Sequence, residues 1–205
     1  MLDAGRNSIR DDKFELKMLE TESDFLCEEI ASFDIGEDDL NEFFHVDAFS
    51  HREHLLAETY FFQPIDAARE GLFFPVALVS FLNDSILLTR EERKGDKRDF
   101  WRHIKKNFPH SKRHYPSFPA VKIGRLGVRK EYQAQHFGSA LMNMVKEFFL
   151  ANNRTGCRFI TVDAYNEKGV TAFYNKNGFQ FLSDQEKDNE TRIMFYDLKR
   201  HRLSL

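Results

Sequence analysis

The chain has 205 residues and a formal net charge of −3; 41% of its residues are hydrophobic and 31% charged, with 22 phenylalanines. Such a composition fits one domain with a real, aromatic core and excludes a disordered or fibrous chain. The slight acid excess argues against a protein that neutralises nucleic-acid phosphates wholesale, because such proteins carry a basic balance. Cys27 and Cys157 stand far apart with no CxxC or Cys/His cluster, so neither a disulfide framework nor a structural metal site is expected, and a reducing compartment fits. The start, MLDAGRNSIRDDKFEL, has no apolar signal core, and no uncharged stretch approaches the ~18 residues of a membrane span. A cytoplasmic protein with no membrane contact is expected.

Residues 1–12 are polar and read as a flexible start, ahead of a single domain over 13–200. Phe14, Leu16 and Met18 alternate with charged neighbours, the period of a half-buried strand. In TESDFLCEEIASF, Thr21 and Asp24 resemble a capping box, and Phe25, Leu26, Ile30 and Phe33 are candidate core residues of a short helix. A second helix follows Gly36, with acidic residues in its first turn and Leu40, Phe43, Phe44 and Ala48 on one side. Residues 55–62 and 72–82 read as two antiparallel strands joined by the loop QPIDAAREG, with Pro75 at an edge or bulge. Residues 84–116 form a basic insertion; from Arg90 to His114 ten Lys/Arg face four Asp/Glu, an excess of +6. This is either a solvated helix and loop or a surface for an anionic substrate. A strand (AVKIGRLGV), a helix over 137–152, a buried strand (RFITVDAY), a helix ended by Gly178 and a last strand (RIMFYDLK) complete the chain. That alternation implies at least one parallel pair with a crossover helix.

In the 137–152 helix, Phe137, Leu141, Met144, Val145 and Phe148 make one broad buried face. The turn ahead of it, from Gln133 to Ser139, can offer backbone N–H groups to a diphosphate, since helix N-termini leave such groups unpaired and carry partial positive charge. On physics alone this could equally be an ordinary loop. Further on, Asn166 stands at an N-cap position, and Tyr174 beside Phe173 could be a core residue or a catalytic phenol.

The segments LGVRKEYQAQHFGSALM and FITVDAYNEKGVTAFYNKNGFQFL, together spanning about residues 121–182, resemble the GNAT superfamily of acyl-CoA-dependent N-acetyltransferases. The resemblance implies an α/β (α+β) fold, with a mixed, mostly antiparallel central sheet, a parallel βαβ coenzyme A-binding unit and helices on both faces. It assigns the backbone of Leu126, Gly127 and Val128 to the pantetheine arm. Gln133, Ala134, Gln135, His136, Phe137, Gly138 and Ser139 would hold the diphosphate, Asn166 would bond the pantetheine or fix the splayed strands, and Phe173 would pack on the cofactor. Tyr174 would be the general acid that protonates the departing thiolate. His136 stands where the superfamily usually has the first glycine of its turn, so a positive φ there would be borne by a histidine. No general base is evident; Glu131 is the nearest acidic residue, and an amide of Leu126 or Val128 could polarise the thioester.

The function so implied is acetyl transfer from acetyl-CoA to a primary amine, on a small molecule or peptide, by direct attack in a ternary complex without metal. The helices over 34–51 also look like the opening of the acetyltransferase toxins of type II toxin–antitoxin modules, which act on aminoacyl-tRNA and would bring an antitoxin partner. A non-catalytic acyl-CoA-binding module is the reading from another class. Asp38, Asp39 and Asp47 could favour a cationic acceptor or form a solvated face. The final strand could add to a partner's sheet, leaving monomer and homodimer both open.

Overall fold

The computed structural model describes residues 3–4, 7–105, 115–151, 153 and 156–202. In chain order the elements are β1 (Asp3–Ala4), β2 (Ser8–Arg10), β3 (Phe14–Met18), α1 (Glu22–Phe25), α2 (Glu28–Ala31), α3 (Asp38–Glu42), a π-helical turn (Phe43–Asp47), α4 (Ala48–Glu53), β4 (Glu58–Pro64) and α5 (Ile65–Arg69). Then come β5 (Ala77–Leu87), α6 (Arg98–Lys105), β6 (Ser117–Val128), α7 (Phe137–Ala151), β7 (Phe159–Tyr165), α8 (Lys168–Lys176), β8 (Gln180–Phe181), β9 (Thr191–Asp197) and α9 (Leu198–Arg202). They divide into two compact units, Met1–Leu82 with Ile123–Arg154, and Asn83–Lys122 with Thr155–Leu205. Strands β5 and β6 contribute residues to both.

In the first unit the strands run in the order β1-β2-β3-β4-β5-β6, antiparallel from β1 through β5. Part of the stretch expected to fray is therefore ordered: fully buried Ile9 sits opposite Leu16 and anchors β2 against β3. Along β4 and β5 the two-residue period sorts side chains by face. Phe61 and Leu78 join Phe25, Ile30, Phe33, Phe43, Phe44 and Ala48 from the α1–α4 segment. On the opposite face Tyr60 meets Phe148, and Phe81 meets Phe149, both rings from α7. The capping box is present at Thr21 and Asp24, but α1 ends after one turn and leaves Leu26 66% exposed. The expected strand over 55–62 begins only at Glu58. Leu55 takes a left-handed φ of 57° and is 88% exposed, its amide and that of Leu56 closing the end of α4. The second strand starts at Ala77 rather than 72, so Pro75 lies in the loop before it, and the 63–71 loop contains α5.

In the second unit the order is β5-β6-β7-β9-β8, with β6 and β7, joined through α7, as the parallel pair and β7–β9 and β8–β9 antiparallel. Phe159 and Phe195 face Phe100 and Ile104 of α6, with Phe118, Ala120 and Leu182. On the other face lie Tyr174, Phe179 and Tyr196. The last strand is thus flanked on both sides, and the edge belongs to two-residue β8. Asp197, at the end of β9, accepts hydrogen bonds from Arg158 at 2.9 and 3.1 Å and pairs with His103 at 2.9 Å. Burial pushes its carboxyl up, but Arg158 and His103 more than offset that, and the net effect is a pKa below the usual 3.8.

The fold is that of the mixed, mostly antiparallel sheet with one parallel pair, each unit carrying helices on both of its faces. Among the described residues, no helix is long and apolar enough to cross a membrane, and no cluster of His, Cys, Asp or Glu could hold a metal ion.

Candidate active site

The turn from β6 into α7 is built from the first unit alone. The amide of Arg129 donates to Val76 O at 2.9 Å and that of Lys130 to Asp34 O at 2.7 Å, which extends the end of β6 into a single 3₁₀ turn, Lys130–Tyr132. Gln133 closes that turn with its own amide, 3.3 Å from Lys130 O. Its side chain braces the turn from outside, Nε2 donating to Ile35 O at 2.7 Å and Val128 O at 3.0 Å. Gln133 is therefore a brace and not an amide donor, unlike the rest of the segment. From Ala134 to Ser139 no amide donates to a partner among the described residues, and the helical ladder starts with Ala140 N–H to His136 O at 3.0 Å. His136 adopts φ 68°, and so does Ala134 at 60°. Left-handed conformation costs a non-glycine residue roughly 1–2 kcal/mol. Both side chains are exposed, so packing of neither side chain accounts for the strain. The 15-residue α7 adds its dipole to that spot.

Gly127 is fixed by a neighbour in the same unit. A Cβ built there would lie 2.3 Å from Ile35 Cδ1 and 2.7 Å from its Cγ1, so glycine is required for Ile35 to pack on the strand end. Two arginines, one in β6 and one just past its end, were not singled out from sequence. Arg125 lies over the Phe43 ring at 5.3 Å and Arg129 over Phe33 at 4.9 Å. The signal was available: in GRLGVR the arginines stand four apart, in phase with a glycine facing the helices. Glu131 is a largely exposed turn residue whose carboxylate lies 3.9 Å from Arg129.

In the second unit, Asn166 does not cap α8. The N-cap is Glu167, without a side-chain bond. Asn166 instead clamps the loop before β9: its Nδ2 donates to Lys187 O at 2.7 Å and Asn189 O at 3.0 Å, and its N–H to Glu190 O at 2.8 Å. Phe173 and Tyr174 are in α8, their rings 5.2 Å apart, with Phe179 5.3 Å beyond Tyr174. Tyr174 is 6% exposed, and burial pushes its phenol well above the ordinary 10. A phenol so held stays protonated throughout the neutral range. The basic segment is tied up locally. Arg93 stacks on Trp101 and donates to Tyr115 O, Lys97 pairs with Glu92, and Arg102 with Asp99; residues 106–114 lie outside the described residues.

A family model described as the acetyltransferase (GNAT) domain matches residues 104–181. Over that stretch the chain is similar to the acetyltransferase (GNAT) domain. Solved structures extend the likeness of fold over nearly the whole length. A KacT point mutant superposes with a TM-score of 0.66 at 19% identity, covering 94% of this chain and 99% of that one. AtaTR bound with acetyl-CoA gives 0.64 at 20% identity, covering 95% and 99%. AtaT complexed with acetyl-methionyl-tRNAfMet gives 0.64 at 20%, covering 93% and 98%. No curated protein matches in sequence. Acetyl transfer is the chemistry of the domain to which this stretch is similar.

Proposed function

We propose that this chain transfers an acetyl group from acetyl-CoA to a primary amine by direct attack in a ternary complex. The observation that carries the reading is the run of amides from Ala134 to Ser139, without partners among the described residues, at the N-terminus of α7, in a turn with two left-handed non-glycine residues. Such a run binds a diphosphate through N–H donors and helix dipole together. Leu126, Gly127 and Val128 would pair with the pantetheine amides, and Phe173 would pack on the cofactor. Acetyl-CoA supplies the activated thioester. When the amine attacks and the intermediate collapses, Tyr174 would donate its proton to the leaving sulfur, a role suited to a phenol that burial keeps neutral. Calorimetry with acetyl-CoA, followed by a free-thiol screen of amines and peptides, tests this; no binding of any acyl-CoA would refute it.

A second acceptor is favoured by one comparison: the structure of AtaT complexed with acetyl-methionyl-tRNAfMet aligns with this chain almost end to end. In that reading the amine is the α-amine of an aminoacyl-tRNA, and a small antitoxin is the partner. Acetylation of charged tRNA by purified protein, with growth arrest on expression, would support it. Harmless overexpression and unmodified charged tRNA would exclude it.

A further inference from the structure

We propose that Arg125 is the acceptor anchor of this site and takes an anionic group, carboxylate or phosphate, that the acceptor carries close to its amine. The inference rests on the acetyltransferase reading above. Gly127 faces Ile35, and the two-residue period of β6 turns Arg125 to the same face while Leu126 and Val128 point the other way. The guanidinium lies over the Phe43 ring, its Cζ 5.3 Å from the ring centre, which favours the cation electrostatically. Of its five N–H donors, one is used within the strand, Nη1 to Gly124 O at 3.1 Å. Nε is buried and has no hydrogen-bond partner among the described residues. The nearest carboxylate, Asp39 Oδ2, stays 3.7 Å away, inside ion-pair range and outside hydrogen-bond range, on a side chain that is itself largely exposed. The fork is thus charged, 41% exposed and short of acceptors.

Arg129, four residues on, shows the contrast. It is nearly buried, donates to Glu29 O at 3.2 Å, and has the carboxylates of Glu29 at 3.6 Å and Glu131 at 3.9 Å. Its charge is balanced within the protein, and that of Arg125 is only loosely so. A planar fork with free donors matches carboxylate and phosphate oxygens two at a time. Arg125 also directly precedes Leu126–Val128, and successive strand residues advance about 3.3 Å. An anion held on Arg125 would therefore bring an amine a few bonds away alongside the segment assigned to the pantetheine arm.

Two matched pairs of acceptors test this and separate the sources of the anion: an amino acid against its methyl ester, and an amide-linked aminoacyl-adenosine with and without its 5′-phosphate. In the wild type the anionic member of at least one pair is expected to have kcat/KM about tenfold above its neutral partner, the difference lying in KM. Arg125→Ala should erase that preference while leaving the neutral partner's rate, the melting temperature and acetyl-CoA affinity unchanged. Arg125→Lys should restore part of it, since the charge remains but the fork is lost. Asp39→Asn should widen it by removing the competing carboxylate. Equal rates for both members in the wild type, or a preference that survives Arg125→Ala, would overturn the inference. So would acetyl-CoA binding with no turnover of any of the four acceptors, a result that leaves cofactor recognition standing. Failure of the wild type to bind acetyl-CoA would overturn the acetyltransferase reading and this inference with it.

Discussion

Replacing His136 by glycine separates two properties of the turn that the wild type combines. At φ 68° the histidine backbone pays roughly 1–2 kcal/mol that glycine does not. Glycine returns about 0.4–1 kcal/mol of that through the greater freedom of the unfolded chain. The net gain is on the order of 0.5–1 kcal/mol, or about 1–4 °C in the melting temperature for a chain of this length. Ala134→Gly at φ 60° should give a similar gain and serves as the backbone control. The strain persists at a position where glycine would relieve it, which points to work for the imidazole. Beside the free amides of residues 134–139, contact with the cofactor's diphosphate is the work we propose for it. His136→Gly should accordingly weaken acetyl-CoA binding by about tenfold in calorimetry, as for loss of one hydrogen bond to a charged group, while Ala134→Gly leaves it unchanged. A fall in melting temperature in both variants would refute the strain reasoning. Unchanged or tighter acetyl-CoA binding in His136→Gly would remove the imidazole from the phosphate grip.

Three further outcomes follow from the same geometry. Tyr174→Phe should lower kcat by about 10²-fold or more with acetyl-CoA affinity intact, and because burial raises its phenol, the wild-type rate should show no alkaline loss from this group below pH 10; an equal loss of binding would make Tyr174 a packing residue. Tyr60 is pushed up to about 12 by burial first, then by the charge of Glu58. Its folded pKa lies above the unfolded value of 10, so its contribution is complete below pH 10 and is lost as pH rises toward 12, by about 2–3 kcal/mol. Tyr60→Phe should flatten that alkaline decline in chemical denaturation, and an unchanged decline would reject the assignment. Gly127→Ala should destabilise by about 1–3 kcal/mol through overpacking on Ile35, and Ile35→Ala should recover part of that in the double variant, whereas purely additive losses would mean that the two do not compete for one space.

The parts of the fold that the sequence made legible are those where a period and a cap agree. Phe14, Leu16 and Met18 alternate and form β3; Thr21 and Asp24 close a real capping box; Leu141, Met144, Val145 and Phe148 are the buried face of α7. Misreadings arose where one residue type serves two ends. Leu55 and Leu56 look like the start of a strand, yet they terminate α4 and face solvent, because apolar character alone does not distinguish an inward strand residue from an exposed helix end. Asn166 suits an N-cap and a loop clamp equally, since both need a short amide side chain near backbone groups, and the residues that decide it are 21 to 24 positions away. Ile9 is the one apolar residue in three-residue β2, too little to register as a pattern. The positive φ at His136 could be anticipated from glycine's absence there, but nothing about Ala134 announces a left-handed conformation.

Both the strand end and the turn depend on residue 35, some 98 positions from the glutamine that grips it. Ile35 fills the notch that Gly127 leaves, and its carbonyl takes the Gln133 side-chain donor. Its own N–H is held by Asn41 Oδ1 at 2.9 Å, and neighbouring Asp34 receives the amide of Lys130 through its carbonyl and that of Gly36 through its side chain. The loop between α2 and α3 therefore fixes β6 and the turn before any ligand arrives. Amides on a rigid support lose little freedom on binding an anion, which is where preorganisation gains affinity. The same loop leads into α3 and the π-helical turn, whose Asp39 and Phe43 lie beside Arg125. The α2–α4 segment thus supports both the turn proposed for the cofactor and the arginine proposed for the acceptor. A change at Ile35 or Asn41 would reach donor and acceptor together, through the backbone of β6 rather than through any contact with either substrate.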